Sequence, residues 1–352
     1  MNFLTYRALR LLALALLPCT AACQKKSSDP AAAPAPPTAS AATPGSLGIS
    51  GDTADVQTAA QPGVLLMGGS TDVDAAMQWL LRRSGGGDVL ILCASGSTGY
   101  NDYLYTLTPA VNSVETLKID SEELARNPRV ARRIRQAEAV FIAGGDQANY
   151  VNFWRGTPVQ DALNYLLTQK RVPVGGTSAG CAVLGGQLFD ARQGTVTSAE
   201  ALQNPYNPKV SLSSNFLQAS SFLANVVTDT HYDNPDRRGR HLAFLARLRQ
   251  DGTVAQPRGI GVEERTAVAV DAQGQATVFG EGQAFFLVSG AQAPEVCQPG
   301  QPLTWDHSGQ AVRAYVLRAS AGNAFSLADW TTGTGGTWQR FVARNGVFSA
   351  RN

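Results

Sequence analysis

The stretch VPVGGTSAG (residues 172–180) joins an apolar segment to a serine surrounded by small residues. Val172–Val174 predicts a short buried strand, and Ala179–Leu184 predicts the helix that follows it. Between them, Gly176–Gly180 fits the pattern G-x-S-x-G, in which a serine occupies a sharp strand-to-helix turn. The serine backbone is strained in such a turn, so its neighbours must be small. The stretch therefore predicts a sheet with packed helices and a serine hydroxyl presented at a strand end.

Apolar strand-like segments alternate with helix-like segments on both sides of this stretch. The predicted early strands are residues 64–69, 88–94, 114–119, 139–143 and 172–174. The predicted helices are residues 72–83, 147–169 and a segment that begins at Ser121. Such alternation predicts an α/β fold with a doubly wound, mostly parallel sheet. The later predicted strands, which form an additional C-terminal β region, are residues 259–270, 276–288 and 312–317.

His231 is the predicted general base for Ser178. A serine hydroxyl is a weak nucleophile until an adjacent base removes its proton. Of three histidines, only His231 follows a predicted strand, Val226–Thr230. His241 lies in a helical stretch and His307 in a late turn, so both are predicted surface residues. Because the ends of parallel strands meet at one sheet edge, His231 and Ser178 are expected to lie close together.

A second glycine-bearing strand end supplies a candidate oxyanion site. The segment FIAGGDQ (residues 141–147) is a predicted strand that ends in paired glycines. Its Gly145 amide and the Ala179 amide after the serine can together bind a developing oxyanion. An inert glycine turn or a phosphate-binding turn around Ser178 stays open as an alternative. A P-loop is excluded because the chain contains no Gly-Lys-Ser or Gly-Lys-Thr.

Composition excludes several classes of partner and cofactor. The 29 basic and 27 acidic residues leave a charge of +2, without the basic surplus that nucleic-acid binding requires. The five cysteines form no C-x-x-C pair, which excludes a zinc ribbon and a thioredoxin motif. No cluster of metal-ligand residues is visible, so neither metal nor cofactor is predicted. Cys93 and Cys181 lie in apolar segments and are predicted buried thiols.

The N-terminus has the pattern of an export signal. Arg7 and Arg10 precede the apolar run Leu11–Leu17, and small residues lead to Cys23. Ala-Ala before that cysteine resembles a bacterial lipobox, so Cys23 is the predicted lipidation site of an exported lipoprotein. Gln24 after it predicts the outer membrane, on its periplasmic or surface face. Cleavage of an ordinary signal and free secretion is the alternative.

Composition also predicts four segments along the chain. Residues 1–22 form the signal peptide, and residues 23–60 are a Pro- and Ala-rich segment predicted to be a disordered tether. Residues 61–293 form the α/β domain. Residues 294–352 form a β-rich extension that packs on the same domain, since no Pro-rich linker precedes the later strands.

Four motifs occur together in one order along residues 61–290. They are FIAGGDQ (141–147), GGTSAG (175–180), DTHY (229–232) and GVEERTA (261–267). In this order they resemble the cyanophycinase-like serine peptidases, relatives of the aspartyl dipeptidases. The resemblance implies a flavodoxin-like, class I glutamine-amidotransferase-like fold. It also implies Ser178 as nucleophile and His231 as base of a catalytic triad that hydrolyses acidic or β-aspartyl peptide bonds through an acyl-enzyme.

The family places the third triad member, a carboxylate, between the nucleophile and the histidine. That interval contains only Asp190, Glu200 and Asp229. Asp229 resembles a substrate-site residue of the family, so Glu200 is the predicted partner of His231 and Asp190 is the second choice. Ser198-Ala199-Glu200 also fits the start of a helix, which leaves a purely structural role open for Glu200.

The resemblance also implies the residues that bind substrate, which are Gln147, Asp229, Arg237 and Arg240. Two positions differ from the family pattern. Thr230 occupies the place of a glutamine, and Pro235 occupies the place of an arginine. Proline cannot replace a guanidinium that clamps a carboxylate, so the substrate is expected to differ from cyanophycin. A solvated helix face is the alternative role of the two arginines.

These observations predict a serine exopeptidase held near a membrane, with an acidic or isoaspartyl peptide and membrane lipid as its partners. Two other functions stay open. The same fold and serine are compatible with an esterase or another acyl hydrolase that does not cleave peptides. A surface-binding lipoprotein without catalytic activity is also compatible, if the turn at Ser178 is inert.

Overall fold

The computed structural model describes residues 42–218 and 220–352. The predicted signal peptide, Cys23 and the first part of the predicted tether lie outside the described residues. Within the described part, no helix is long and apolar enough to cross a membrane.

Strands and helices follow one another throughout the described residues. The strands are β1 (Ser46–Gly51), β2 (Gly63–Met67), β3 (Asp88–Cys93), β4 (Ser113–Lys118), β5 (Ala139–Ile142), β6 (Pro173–Thr177), β7 (Gln187–Phe189), β8 (Leu212–Ser214), β9 (Val226–Asp229), β10 (Arg258–Val262), β11 (Thr266–Asp271), β12 (Gln275–Gly280), β13 (Gln283–Ser289), β14 (Val312–Arg318), β15 (Ala324–Ser326), β16 (Gly333–Thr334), β17 (Thr337–Arg344) and β18 (Val347–Arg351). The helices are α1 (Asp74–Arg83), α2 (Gly99–Thr106), α3 (Glu122–Arg126), α4 (Pro128–Gln136), α5 (Gln147–Trp154), α6 (Pro158–Tyr165), α7 (Ala179–Ala182), α8 (Ser198–Gln203) and α9 (Arg238–Gln250).

The strands form two large sheets, which makes the fold mixed α/β. The first sheet has the order β1-β4-β3-β5-β6-β2-β11-β12-β15-β16. Its strands β4, β3, β5, β6 and β2 are parallel, whereas β1 and the strands from β11 onward pair antiparallel. The predicted parallel sheet is thus limited to five central strands. Counted from β2, their order is 3-2-4-5-1, which differs from the 2-1-3-4-5 order of flavodoxin-like sheets. The class I glutamine-amidotransferase-like assignment stays a prediction.

Helices cover both faces of the parallel strands. Side chains such as Leu65 and Phe141 pack with α1 and α2, and alternate ones such as Leu66 and Ile142 pack with α4, α5 and α6. Because both faces are covered, these strands consist almost entirely of buried apolar residues. This covering agrees with the predicted doubly wound arrangement.

The second sheet is mostly antiparallel and was not predicted as a separate layer. Its order is β18-β17-β14-β13-β10-β9-β7-β8, and only β9 pairs parallel, with β10 and with β7. The predicted C-terminal β region contributes to both sheets. Strands β11 and β12 extend the first sheet, whereas β10, β13 and β14 belong to the second. Periodicity alone does not show this division, since it identifies a strand but not its neighbour.

Part of the predicted tether is ordered. Ser46–Gly51 forms β1 and pairs antiparallel with β4 along the sheet edge. Ser46 Oγ donates to Glu115 Oε1 at 2.6 Å, and Asn101 Nδ2 donates to the Gly48 carbonyl at 2.8 Å. Backbone groups supply the sheet pairing, so an edge strand needs few apolar side chains. Because Ser46–Gly51 contains few apolar residues, the sequence did not predict this strand.

The predicted helix 147–169 is interrupted. Helix α5 ends at Trp154, and α6 begins at Pro158 after the N-cap Thr157. Proline is favoured in the first turn of a helix, where its missing N–H is not needed, but it disrupts a helix interior. Pro158 thus begins a second helix.

His241 is buried, contrary to the predicted surface position. It lies on α9, where nine residues are buried, and its side chain has no exposed surface. Its ring nitrogens lie 3.1 Å from the Tyr232 hydroxyl and 3.2 Å from the Val227 carbonyl oxygen. Several arginines in α9 gave the helix a polar sequence, although it packs within the core formed with the second sheet.

Burial of His241 predicts a loss of stability in acid. Burial lowers its pKa from 6.5 to about 4. Between these values the unfolded chain binds a proton and the folded protein does not. The free energy of unfolding therefore decreases as pH falls from 6.5 towards 4, by about 3 kcal/mol from this group. In His241→Gln that contribution is expected to disappear, as urea unfolding at several pH values would measure. An unchanged pH dependence in the variant would contradict this prediction.

Candidate active site

Ser178 occupies a strained turn between β6 and α7. Its backbone has φ 52° and ψ −117°, an unusual conformation for a residue other than glycine. A Cβ at Gly176 would lie 2.4 Å from the Gly180 carbonyl carbon, and one at Gly180 would lie 2.0 Å from the Ile142 carbonyl oxygen. Both glycines of the G-x-S-x-G pattern are therefore required sterically. The sharp turn predicted from the sequence is present.

A chain of two hydrogen bonds runs from Ser178 through His231 to Glu264. Ser178 Oγ lies 2.8 Å from His231 Nε2, and His231 Nδ1 lies 2.7 Å from Glu264 Oε1. An ionised carboxylate only accepts hydrogen bonds, so Nδ1 carries the proton and Nε2 accepts from the serine hydroxyl. The arrangement is that of a serine nucleophile with an oriented general base.

Backbone contacts with β2 and its following glycines position the histidine. His231 has φ 47°, and its amide donates to the Gly68 carbonyl at 2.8 Å. A Cβ at Gly69 would lie 2.5 Å from the imidazole ring. The Ser178 amide donates to the Met67 carbonyl at 3.1 Å. Backbone carbonyls at the end of β2 thus bind the amides of both Ser178 and His231.

Glu264, which was not predicted, lies in the turn between β10 and β11. Its backbone amide donates to Asp233 Oδ1 at 2.9 Å. The hydrogen bond from His231 holds the pKa of Glu264 below its usual range, so the carboxylate is ionised at neutral pH. The sequence contained a signal for it, since GVEERTA places two adjacent acids directly after a predicted strand. Restricting the search to the interval between Ser178 and His231 excluded this residue.

Glu200 does not contact His231, which corrects the prediction. It lies in the first turn of α8, where it forms a capping box with Thr197 and an ion pair with Lys209 at 2.8 Å. The hydrogen bond from Lys209 lowers its pKa to about 2. Glu200 therefore has the structural role at the start of a helix that was the alternative to a catalytic role. Asp190, the second choice, pairs with Arg192 at 3.0 Å.

A cavity of about 360 Å³ opens at Ser178 and His231. Gly145 and Ala179 both line it, as expected for an oxyanion site. Ala179 is the first residue of α7, where amides lack partners within the helix. Within the described part of the chain, the Gly145 amide has no hydrogen-bond acceptor. Both amides are thus available to an oxygen beside Ser178.

The four predicted substrate residues line the same cavity, which brings them together with Ser178. They are Gln147, Asp229, Arg237 and Arg240. Arg240 and Asp229 are buried and bind each other in two hydrogen bonds of 2.9 and 2.6 Å. Burial alone would raise the pKa of Asp229, but the Arg240 charge and hydrogen bonds hold it below its usual value. This pair forms a neutralised wall of the cavity.

Arg237 is the half-buried guanidinium of the cavity. Its Nη1 donates to the Thr230 carbonyl at 3.0 Å, and within the described residues no carboxylate pairs with it. The remaining donors of its guanidinium can receive an anionic group. Arg240, by contrast, also donates to Thr195 and to the Val196 carbonyl, so its donors are largely occupied.

Residues 64–278 match the model of peptidase family S51. The chain belongs to this family. The match contains the Ser178, His231 and Glu264 positions described above.

Curated relatives match the chain in sequence, and a solved structure matches it in fold. The chain is 26% identical over 171 residues to the cyanophycinase of Trichormus variabilis, covering 48% of this chain and 51% of the relative. It is 25% identical over 230 residues to that of Thermosynechococcus vestitus, covering 62% and 66%. The matches thus span between half and two thirds of these relatives. A peptidase from an acI-B1 Actinobacterium has a similar fold, with a TM-score of 0.50 and 16% identity over 77% of this chain and 98% of that one.

None of the three cysteines that the structure describes lines this cavity. Cys93, Cys181 and Cys297 are buried and unpaired. Burial raises the pKa of Cys93 to about 11 and that of Cys297 to about 12, so neither thiol is reactive at neutral pH. In the described residues, no group of three or more His, Cys, Asp or Glu is placed to hold a metal ion.

Proposed function

We propose that this S51 peptidase hydrolyses acidic or β-aspartyl peptide bonds through an acyl-enzyme on Ser178. The observation that carries the proposal is the hydrogen-bonded chain Ser178–His231–Glu264 at 2.8 and 2.7 Å, beside a cavity that contains Arg237. An oriented base next to a strained serine is the arrangement that acyl transfer requires.

In the proposed mechanism, His231 Nε2 accepts the Ser178 proton while Oγ attacks the scissile carbonyl carbon. The carbonyl oxygen becomes an oxyanion, which the Gly145 and Ala179 amides stabilise. Collapse of this intermediate breaks the C–N bond, and His231 gives its proton to the leaving amine. Water then attacks the ester carbonyl with His231 again as base. The bond between Ser178 Oγ and the acyl carbon breaks, His231 returns the proton to Oγ, and the acid product leaves. Glu264 stabilises the imidazolium in both steps.

The preference for acidic substrates rests on Arg237. A guanidinium with free donors binds a carboxylate in two parallel hydrogen bonds. Thr230 lines the cavity where the cyanophycinase resemblance implies an amide. Pro235, which does not line it, stands where the resemblance implies a further guanidinium. We therefore propose acidic or β-aspartyl peptides as a class and not cyanophycin in particular.

A substrate panel with an Arg237 variant tests this preference. Arg237→Gln is expected to raise KM for β-aspartyl and α-aspartyl peptides about 10- to 100-fold, since a charge-assisted pair is lost. Arg237→Lys should restore part of the affinity. Arg238→Gln is the matched control, because Arg238 pairs with Asp236 at 2.5 Å and does not line the cavity. Equal KM values for acidic peptides in Arg237→Gln and the unaltered enzyme would refute the preference, and hydrolysis of esters alone would refute peptidase action on this class.

We also propose that the protein is exported and lipidated at Cys23, as an outer-membrane lipoprotein. The basic N-terminal residues, the apolar run Leu11–Leu17 and the Ala-Ala-Cys sequence support this. Incorporation of labelled palmitate into the full chain but not into Cys23→Ala would be expected, and equal labelling of both would exclude Cys23 as the site.

A further inference from the structure

Three arginines lie in one row across the C-terminal strands of the second sheet. Arg313 on β14 is directly opposite Arg340 on β17, and Arg340 is directly opposite Arg351 on β18. All three side chains are exposed. Neighbouring strands are about 4.8 Å apart, so the row concentrates three positive charges within about 10 Å.

None of these charges forms an ion pair within the part of the chain that the structure describes, although the Arg351 charge acts on the nearby carboxylate of Asp306. Across residues 42–218 and 220–352, the three guanidinium groups form no ion pair or side-chain hydrogen bond; Arg313 lies over the Trp338 ring at 4.7 Å. Nearby Arg344, by contrast, pairs with Asp306 at 2.6 Å. Like charges directly opposite each other destabilise a sheet. An anionic ligand would remove this repulsion.

The surface at the row is concave. Two cavities of about 430 and 510 Å³ both contain Gly309, Arg313 and Arg340 in their walls, and the second also contains Arg351. A Cβ at Gly309, which has φ +87°, would lie 3.4 Å from Arg340 Nη1. A concave surface fits an extended chain better than a flat membrane.

The row lies at the end of the second sheet opposite the catalytic cavity. Asp229, in that cavity, ends β9, whereas Val226 at the start of β9 is opposite Arg258 on β10. Arg258 is opposite Val288, which is opposite Arg313. Arg313 is thus displaced from Asp229 by about 10 Å along the strands and about 14 Å across them. The row also lies outside residues 64–278, which match the family.

We propose that the row Arg313–Arg340–Arg351 is an exosite that binds the acidic polypeptide chain of a long substrate. The inference rests on the proposed preference for acidic peptides. Guanidinium groups bind carboxylates in two parallel hydrogen bonds. An extended acidic polypeptide can present several carboxylates to the three arginines at once. A dipeptide spans at most about 7 Å, so it cannot contact the catalytic cavity and the row Arg313–Arg340–Arg351 at the same time. The exosite therefore acts only on long chains.

Binding of fluorescent poly-L-aspartate to the full chain tests the exosite without catalysis. The measurement uses Ser178→Ala as background, so that no ligand is hydrolysed. Arg313→Gln/Arg340→Gln is expected to weaken binding at least 10-fold and to reduce its salt dependence. The matched control is Arg82→Gln/Arg132→Gln, which also removes two exposed charges, one from α1 and one from α4. In the active enzyme, Arg313→Gln/Arg340→Gln should raise KM for long acidic chains and leave a β-aspartyl dipeptide unaffected.

Several results would overturn the exosite. Unchanged poly-L-aspartate affinity in Arg313→Gln/Arg340→Gln is one, and an equal loss of affinity in Arg82→Gln/Arg132→Gln is another. Tighter binding to a polyuronate or to anionic phospholipid vesicles than to poly-L-aspartate would assign the row to a different ligand. A lower melting temperature with unchanged affinity would show that the arginines serve packing over Trp338. Retained affinity without hydrolysis of acidic peptides by the active enzyme would refute the proposed function alone.

Discussion

Ser178→Ala is expected to reduce kcat/KM for the best acidic peptide by about 10⁵- to 10⁶-fold. In the proposed mechanism the hydroxyl supplies the only covalent bond to the substrate, and loss of a serine nucleophile has effects of that size. The unaltered protein should react with a fluorophosphonate at Ser178, which mass spectrometry of the labelled peptide would locate. The variant should give no adduct.

His231→Ala provides the control for activation of the serine. The fluorophosphonate adduct should be strongly suppressed in this variant, because Ser178 Oγ loses the acceptor at 2.8 Å. Melting temperatures of the three proteins show whether folding is preserved. Labelling at another residue, or hydrolysis that survives in Ser178→Ala, would show that Ser178 is not the nucleophile.

Glu264→Gln is expected to lower kcat about 10³- to 10⁴-fold with a small change in KM. The carboxylate accepts the proton of His231 Nδ1 at 2.7 Å. A glutamine amide can instead donate to Nδ1, which favours the tautomer with a protonated Nε2 that cannot accept from Ser178. It also removes the negative charge that stabilises the imidazolium. Steady-state kinetics with one peptide would measure this loss.

Glu200→Gln is the matched control for this carboxylate. Glu200 interacts with Thr197 and Lys209 at the start of α8, so its removal should leave kcat near that of the unaltered enzyme. A loss in Glu200→Gln comparable to that in Glu264→Gln would contradict the triad assigned here. Full activity in Glu264→Gln would likewise exclude a role for that carboxylate in orienting His231.

Much of the first sheet followed from local sequence patterns. The runs at β2, β3, β5 and β6 are apolar because both of their faces are covered, and that composition is visible without a structure. The glycines around Ser178 are equally informative, because a Cβ at either position would collide with backbone. The proximity of His231 to Ser178 was also predicted, but not its cause. Ser178 follows β6 in the first sheet and His231 follows β9 in the second, and backbone groups at the end of β2 bond both residues.

Features that depend on pairing between distant segments could not be predicted from the sequence. β1 was missed because its sheet pairing comes from backbone groups, and the second sheet was missed because periodicity does not name a strand's neighbour. His241 was misplaced because the arginines of α9 made a buried helix look exposed.

The sequence by itself determined the parallel strands, the strained turn at Ser178, His231 as its partner and the family resemblance. Most of these depend on residues close together in the chain, and His231 was identified as the one histidine that follows a predicted strand. Only the tertiary structure decided that Glu264 orients His231, that Asp229 and Arg240 neutralise each other, and that three arginines share a row. These contacts join residues from 11 to 33 positions apart or strands in a particular register. Their partners are selected by packing, which local sequence does not encode.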